Sequence, residues 1–211
     1  MKYLFKILLF FLPILSFGQR INYTNFNSDS LNNAVLRQLN LFRMNNGVDT
    51  LVYSKVLHEQ ITKKHCEEVS YMVYNGFRST TYHIIVDSVL RYTNFKNDIG
   101  NESLEKIGGV LSIGSPSLKP RLDYSENIHR SNDDTSTPHI GFNTYDEIAK
   151  FAIYRWSIST KGHAEAQLRD YSSQGLPGMF ACHTVMTKDN IVYVFVNFVT
   201  IHRKSTLQVA H

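Results

Sequence analysis

The chain has 211 residues, of which 43% are hydrophobic and 19% charged, and its formal net charge is +4. This composition argues against a disordered chain, which would contain fewer apolar residues and more charge. The length favours one domain with a sizeable core. The basic residues form no run longer than a pair such as Lys63-Lys64, which argues against a surface that binds nucleic-acid phosphates.

Residues 1–18 have the layout of a secretory signal peptide. Two lysines precede an apolar run at 7–15 that is too short to span a bilayer, and small residues at 16–18 precede a cleavage site. We therefore expect a secreted or periplasmic protein with one domain at 19–211, a net charge of +2 and no transmembrane segment after cleavage. An uncleaved anchor or a buried helix is the alternative interpretation of residues 1–18.

The first half of the domain contains two amphipathic helices. Apolar residues at spacings of three and four predict a helix over 30–45, followed by a short extended segment at 49–53. Ser54 is placed to cap the second helix through its hydroxyl. One face of that helix carries Leu57, Ile61, His65, Val69 and Met72.

Residues 75–123 are interrupted by glycine and proline and have a clear apolar period only at 84–92. This pattern predicts one short helix between long loops. We expect a variable insertion at about 94–124. Because loops on a rigid scaffold often determine partner choice, this insertion is a candidate for specificity, and a disordered surface insertion is the alternative.

The pattern is clearer from Thr144 onward. Thr144 and Glu147 form a capping box at the start of a helix, and Gly162 predicts where that helix ends. Two strands are predicted at 179–186 and 191–201. Apolar residues at both parities of the second strand are typical of a central strand covered on both faces. Helices followed by this hairpin predict an α+β domain with a mostly antiparallel sheet.

The two cysteines, Cys66 and Cys182, allow two interpretations. In an exported protein they are candidates for a disulfide. Two buried thiols in the core are the other possibility.

Short catalytic motifs such as HExxH, GxSxG, CxxC and a phosphate-binding glycine loop are absent from the sequence. Instead, several phrases follow one another in a specific order. They are "LFRMNNGV", "KKHCEEVSYM", "YSENIHR", "YRWSISTKGHAEAQL", "GMFACHTV" and "IVYVFVNFV". Together they resemble the CAP superfamily, which comprises the cysteine-rich secretory, antigen 5 and pathogenesis-related 1 proteins and is also called the SCP domain.

The resemblance covers roughly residues 31–200 and is to bacterial-type secreted members. It implies a three-layer α-β-α sandwich with a surface cleft that holds two histidines and one or two acidic residues. In this sequence His163 matches the histidine of the family's Gly-His phrase, and Glu126 matches its Glu-Asn-Ile glutamate. His83 is the best match for the second histidine, and His129 is its rival.

The second acidic residue of eukaryotic members would fall near Ser159 and is absent. His83, His163 and Glu126 would form a ligand set for a divalent ion such as zinc, with a position left open. Alternatively, the carboxylate orients an imidazole and makes a pH-responsive cleft without catalysis. Hydrolysis would need a nucleophile or an activated water beside a base, and Ser125 and Ser159 are near the histidines only in sequence.

Each candidate also has a structural interpretation. Glu126 can cap backbone amides in a loop, and His163 can simply begin a helix. His65 and Trp156 are expected in the core. The histidines that we do not expect at the site are His183, His202 and His211.

The sequence therefore predicts an extracellular binding module for a lipid, a glycan or a protein rather than an enzyme. A zinc-dependent hydrolase or peptidase that uses the same cleft is the alternative, and a structural surface protein is a third possibility. The fold alone cannot decide among them, because one fold serves many functions.

Overall fold

The computed structural model describes residues 19–75, 93–106, 121–131, 142–173, 175–188 and 190–202. The predicted signal peptide, the predicted helix at 84–92 and His83 lie outside these residues. No helix in the described ranges is both long enough and apolar enough to cross a membrane.

The helices are α1 (Ser28–Asn45), α2 (Lys55–Leu57), α3 (Lys63–Tyr74), α4 (Thr93–Lys106), α5 (Tyr145–Ser157) and α6 (His163–Leu168). A π-helical turn, His58–Thr62, joins α2 to α3, so these three segments form one continuous element. The strands are β1 (Val52–Tyr53), β2 (Arg121–Arg130), β3 (Met179–Met186) and β4 (Val192–His202).

These strands form one mixed sheet in the order β1-β3-β4-β2. The β1-β3 pair is parallel, and the β3-β4 and β4-β2 pairs are antiparallel. Strand β4 lies between two neighbours, and all its residues except the last are buried. The predictions of a C-terminal hairpin and of a central strand covered on both faces are therefore confirmed.

Helices cover both faces of the sheet. Successive side chains of β4 point to opposite faces, and both sets are buried. Val194 and Val196 pack in the cluster that contains α1 and α5. Tyr193 and Phe195 pack on the other face against α3, where Val199 extends the apolar surface toward α2 and α4. The α+β fold with a three-layer α-β-α arrangement and a mostly antiparallel sheet is therefore confirmed.

The capping box predicted for α5 is present, since Thr144 Oγ1 accepts from the amide of Glu147 and the carboxylate of Glu147 accepts from the amide of Thr144. The prediction that Gly162 ends this helix is wrong. Helix α5 ends at Ser157, and Gly162 adopts a positive φ of 84° at the start of α6.

The long loops expected within 75–123 are interrupted by a helix and a strand among the described residues. Helix α4 buries Phe95 and Ile99 in the cluster that contains Leu57 and Ile61. The carboxylate of Glu102 accepts hydrogen bonds from the backbone amides of Lys55 (2.7 Å) and Val56 (3.3 Å). These bonds satisfy amides at the start of α2 that have no partner within the helix. Phe95 and Ile99 are the buried apolar residues among the described side chains of this helix, and two such positions are too few for a clear period. Strand β2 occupies the end of the same region.

Cys66 and Cys182 are buried free thiols, so the second of the two interpretations is the one observed and the possible disulfide is not formed. Cys182 packs in the cluster with α1 and α5, whereas Cys66 packs with Tyr193 and Phe195 on the opposite face of the sheet. Burial raises the pKa of both thiols, which keeps them in the less reactive protonated form.

We expect neither thiol of the native protein to react measurably with a thiol-specific reagent, and both to react once the protein is denatured. Electrospray mass spectrometry before and after reduction checks the same point. A mass that rises on reduction would contradict the separation of the two cysteines by the sheet.

Candidate functional site

Glu126 lies near the middle of β2, where its carboxylate accepts hydrogen bonds from three neighbouring side chains. Its Oε2 accepts from Nδ1 of His65 (2.8 Å), from the side-chain amide of Asn197 (2.7 Å) and from the hydroxyl of Tyr124 (3.1 Å). Asn197 lies directly across from Glu126 in the sheet and also donates to the Tyr124 hydroxyl. A buried carboxylate requires such donors, because burial removes its hydration.

His65 supplies a hydrogen-bond partner for this carboxylate from α3. Only 1% of its side chain and 2% of the Glu126 side chain are exposed. The imidazole packs edge-on against Phe195, with ring centroids 5.2 Å apart. The expectation that His65 is a hydrogen-bonded core residue is thus confirmed, and its partner is the glutamate that was assigned to the cleft. Its Nε2 has no hydrogen-bond partner among the residues that the structure describes.

The neighbouring residues of β2 point to the opposite face of the sheet. Asn127 donates from its side-chain amide to the carbonyl oxygen of His163 (3.0 Å), which fixes the start of α6 on the face occupied by α5. Because successive side chains alternate, Glu126 and His163 lie on different faces. A cleft centred on both residues is therefore wrong, and a strand separates them.

The tentative zinc set of His83, Glu126 and His163 stays a prediction, because the described residues include only two of its three members. Among the described residues, no group of three or more His, Cys, Asp and Glu side chains is placed to hold a metal ion. His83 lies outside those residues. The interpretation of Glu126 as a cap in a loop is also wrong, because Glu126 belongs to a strand.

His163 lies instead in a cleft of about 620 Å³ between the end of β2 and the α5–α6 connection, which we call the α5–α6 cleft. The rival histidine, His129, lines this same cleft. Its lining also includes cationic, hydroxyl and apolar side chains: Arg155 and Lys161, then Ser131, Ser159 and Thr160, then Phe151, Trp156 and Ile158. None of the described lining residues is acidic.

The wall of the α5–α6 cleft is held by Trp156 and His129. Trp156 is buried, as expected, and its Nε1 donates to the carbonyl oxygen of Ile128 (3.0 Å). The His129 ring packs edge-on against Phe151 and Trp156, with centroids 5.6 and 6.5 Å away. One side of the cleft is therefore rigid, and its polar side chains project from a fixed surface.

His163 is oriented by Ser159, which the sequence placed near the histidines without assigning it a partner. Nδ1 of His163 and Oγ of Ser159 lie 2.9 Å apart, and the same Oγ accepts from the amide of Lys161 (3.2 Å). A serine beside an imidazole is one requirement of nucleophilic catalysis, which also needs a group that orients the imidazole and donors for the oxyanion. The contact between Ser159 and His163 joins residues four apart, so it is local to the α5–α6 connection.

Two histidines, His58 and His183, lie close together on the face of the sheet that α3 covers. His183 on β3 was not expected at a site, yet its ring is within hydrogen-bonding distance of His58 in the π-helical turn. Burial, together with the neighbouring His58 and Lys63, lowers the pKa of His183 to about 4. Its imidazole is therefore neutral at physiological pH.

No protein-family model matches the chain, and no curated protein matches it. Among solved structures it is similar to an outer surface protein from Borrelia burgdorferi, with a TM-score of 0.47. The two chains are 13% identical, and the match covers 89% of this chain and 99% of that one. The resemblance to the CAP superfamily stays a prediction.

We expect Glu126→Ala to lower the free energy of unfolding by about 3–5 kcal/mol, because it leaves His65 buried without its partner. Urea denaturation measures this difference. Glu165→Ala on the exposed side of α6 is the control, with an expected change within about 0.5 kcal/mol. Equal effects of the two substitutions would show that the buried pair does not hold α3 to the sheet.

Proposed function

We propose that this protein is an exported binding protein of CAP type whose ligand site is the α5–α6 cleft. The observation that carries the proposal is the composition of this cleft, which combines Lys161, Arg155 and His163 with hydroxyl groups and an aromatic wall. Its volume of about 620 Å³ lies within the range of small-ligand sites, roughly 300–1,000 Å³. The signal-like residues 1–18 support a location outside the cytoplasm.

The ligand class follows from the charge of the lining. The cationic side chains Lys161 and Arg155 in the lining favour a ligand that carries phosphate or carboxylate groups. Serine and threonine hydroxyls add partners for the hydroxyl groups of a sugar. We therefore narrow the expected lipid, glycan or protein ligand to an acidic glycan or an acidic lipid headgroup.

Trp156 provides the test, because it is the single tryptophan of the chain and lines the cleft. We expect glucose 6-phosphate or glucuronate to change its fluorescence saturably, and neutral glucose to leave it unchanged. Lys161→Glu should weaken the response by roughly tenfold or more, which corresponds to about 1.4 kcal/mol or more.

Lys150→Glu is the matched control, because Lys150 is exposed on α5 and does not line the cleft. It should leave the titration unchanged. If no acidic sugar alters the fluorescence, or if both substitutions weaken the response equally, the cleft is not the site of an acidic ligand.

A hydrolase is the second candidate, and the contact between Ser159 and His163 is the observation that favours it. Under the binding proposal, we expect a fluorophosphonate probe to leave the protein unlabelled, because Ser159 serves to orient His163. Labelling that disappears in Ser159→Ala but persists in Ser125→Ala would favour hydrolysis in the same cleft.

A further inference from the structure

His58 and His183 form a pair outside the α5–α6 cleft, on the opposite face of the sheet. His58 is the first residue of the π-helical turn, and His183 projects from β3 toward it. Nε2 of His58 and Nδ1 of His183 lie 3.1 Å apart, and the two side chains are 14% and 12% exposed. Single π-helical turns within α-helices occur frequently at functional sites.

Each ring faces a carboxylate with its other nitrogen. Glu59 Oε1 lies 3.1 Å from Nδ1 of His58, and Glu67 Oε1 lies 3.8 Å from Nε2 of His183. The Glu59 carboxylate is within hydrogen-bond distance of His58, so it favours the tautomer with the proton on Nδ1 and a lone pair on the inner Nε2. Glu67 is beyond hydrogen-bond distance of His183 and acts on that ring through its charge. The two inner nitrogens, 3.1 Å apart, either share one proton in a hydrogen bond or bind one cation through both lone pairs.

We propose that His58 and His183 form a two-imidazole site for a divalent transition-metal ion, with copper(II) bound more tightly than zinc. Metal–nitrogen bonds of about 2.0–2.1 Å to atoms 3.1 Å apart enclose an angle of about 100° at the metal. This angle lies between the values of square-planar and tetrahedral coordination. Imidazole ligands suit both ions, and the usual order of affinities places copper(II) above zinc.

Water completes the coordination, because the described residues offer no third His, Cys, Asp or Glu ligand at this position. The partial exposure of both rings gives the ion a path from solvent. Glu59 and Glu67 each lie more than half exposed and act on the outer nitrogens rather than as ligands. The site is thus separate from the proposed ligand cleft and does not depend on it.

Isothermal titration of the untagged, metal-free protein with copper(II) and with zinc tests the site. We expect one equivalent of copper(II) to bind, and its electron paramagnetic resonance spectrum to contain the hyperfine pattern of two nitrogen ligands. His58→Gln and His183→Gln should each weaken binding by more than tenfold. Glu59→Gln should weaken it by roughly tenfold, since loss of an outer carboxylate commonly has that effect.

His202→Gln is the matched control, because His202 is also a strand histidine beside a carboxylate and lies 3.0 Å from Asp123. It should leave metal binding unchanged. Circular dichroism checks that each variant is folded. The electron paramagnetic resonance spectrum of the copper(II)-loaded wild-type protein tests the site without any variant. The proposal is overturned if the protein takes up neither ion, if the spectrum lacks two nitrogen ligands, or if His183→Gln binds within threefold of wild type.

Discussion

The burial of β4 on both faces is the constraint on which the rest of the structure depends. A strand with ten consecutive buried residues requires a helical layer on each side, because its alternate side chains need apolar partners in both directions. Helices α1 and α5 provide one layer, and the continuous element from α2 to α3 provides the other with α4. Polar side chains in this strand therefore have to find their partners inside the protein.

Asn197 illustrates how that requirement produces a buried polar network. It sits in the centre of β4, fully buried, and its amide donates to Glu126 on the adjacent strand. Glu126 in turn needs a compensating donor from the layer above, and His65 supplies it from α3. Because breaking a buried pair leaves an uncompensated charge, this network fixes both the position of α3 and the register of β2.

The register of β2 also decides which residues share a site. A shift of one residue would exchange the faces of Glu126 and Asn127, and with them the anchor of α6. In the observed register, Ile128 and Asn127 hold Trp156 and His163 through their polar groups, so the α5–α6 cleft is attached to the sheet at two points. Arg43 reinforces the arrangement from α1, since its guanidinium donates to the carbonyls of Gln167 and Arg169.

The elements with strong local patterns could be predicted from the sequence. The boundaries of β3, the capping box at Thr144 and the helix ending at Asn45 all have sufficient signal within a few residues. Strand β2 is not predicted because Glu126 interrupts the apolar alternation of Leu122, Tyr124 and Ile128.

The site contacts could not be predicted, because they join residues far apart in the chain. His65 and Glu126 are 61 positions apart, and His58 and His183 are 125 apart. Neither spacing follows from a helical or strand period. The two pairs share one feature, which is that each takes one histidine from the continuous element that runs from Lys55 to Tyr74. That element is therefore held to β3 at His58 and to β2 at His65. An ion at His58 would stabilise the helix that carries His65, since any ligand bound only by the native state raises its stability.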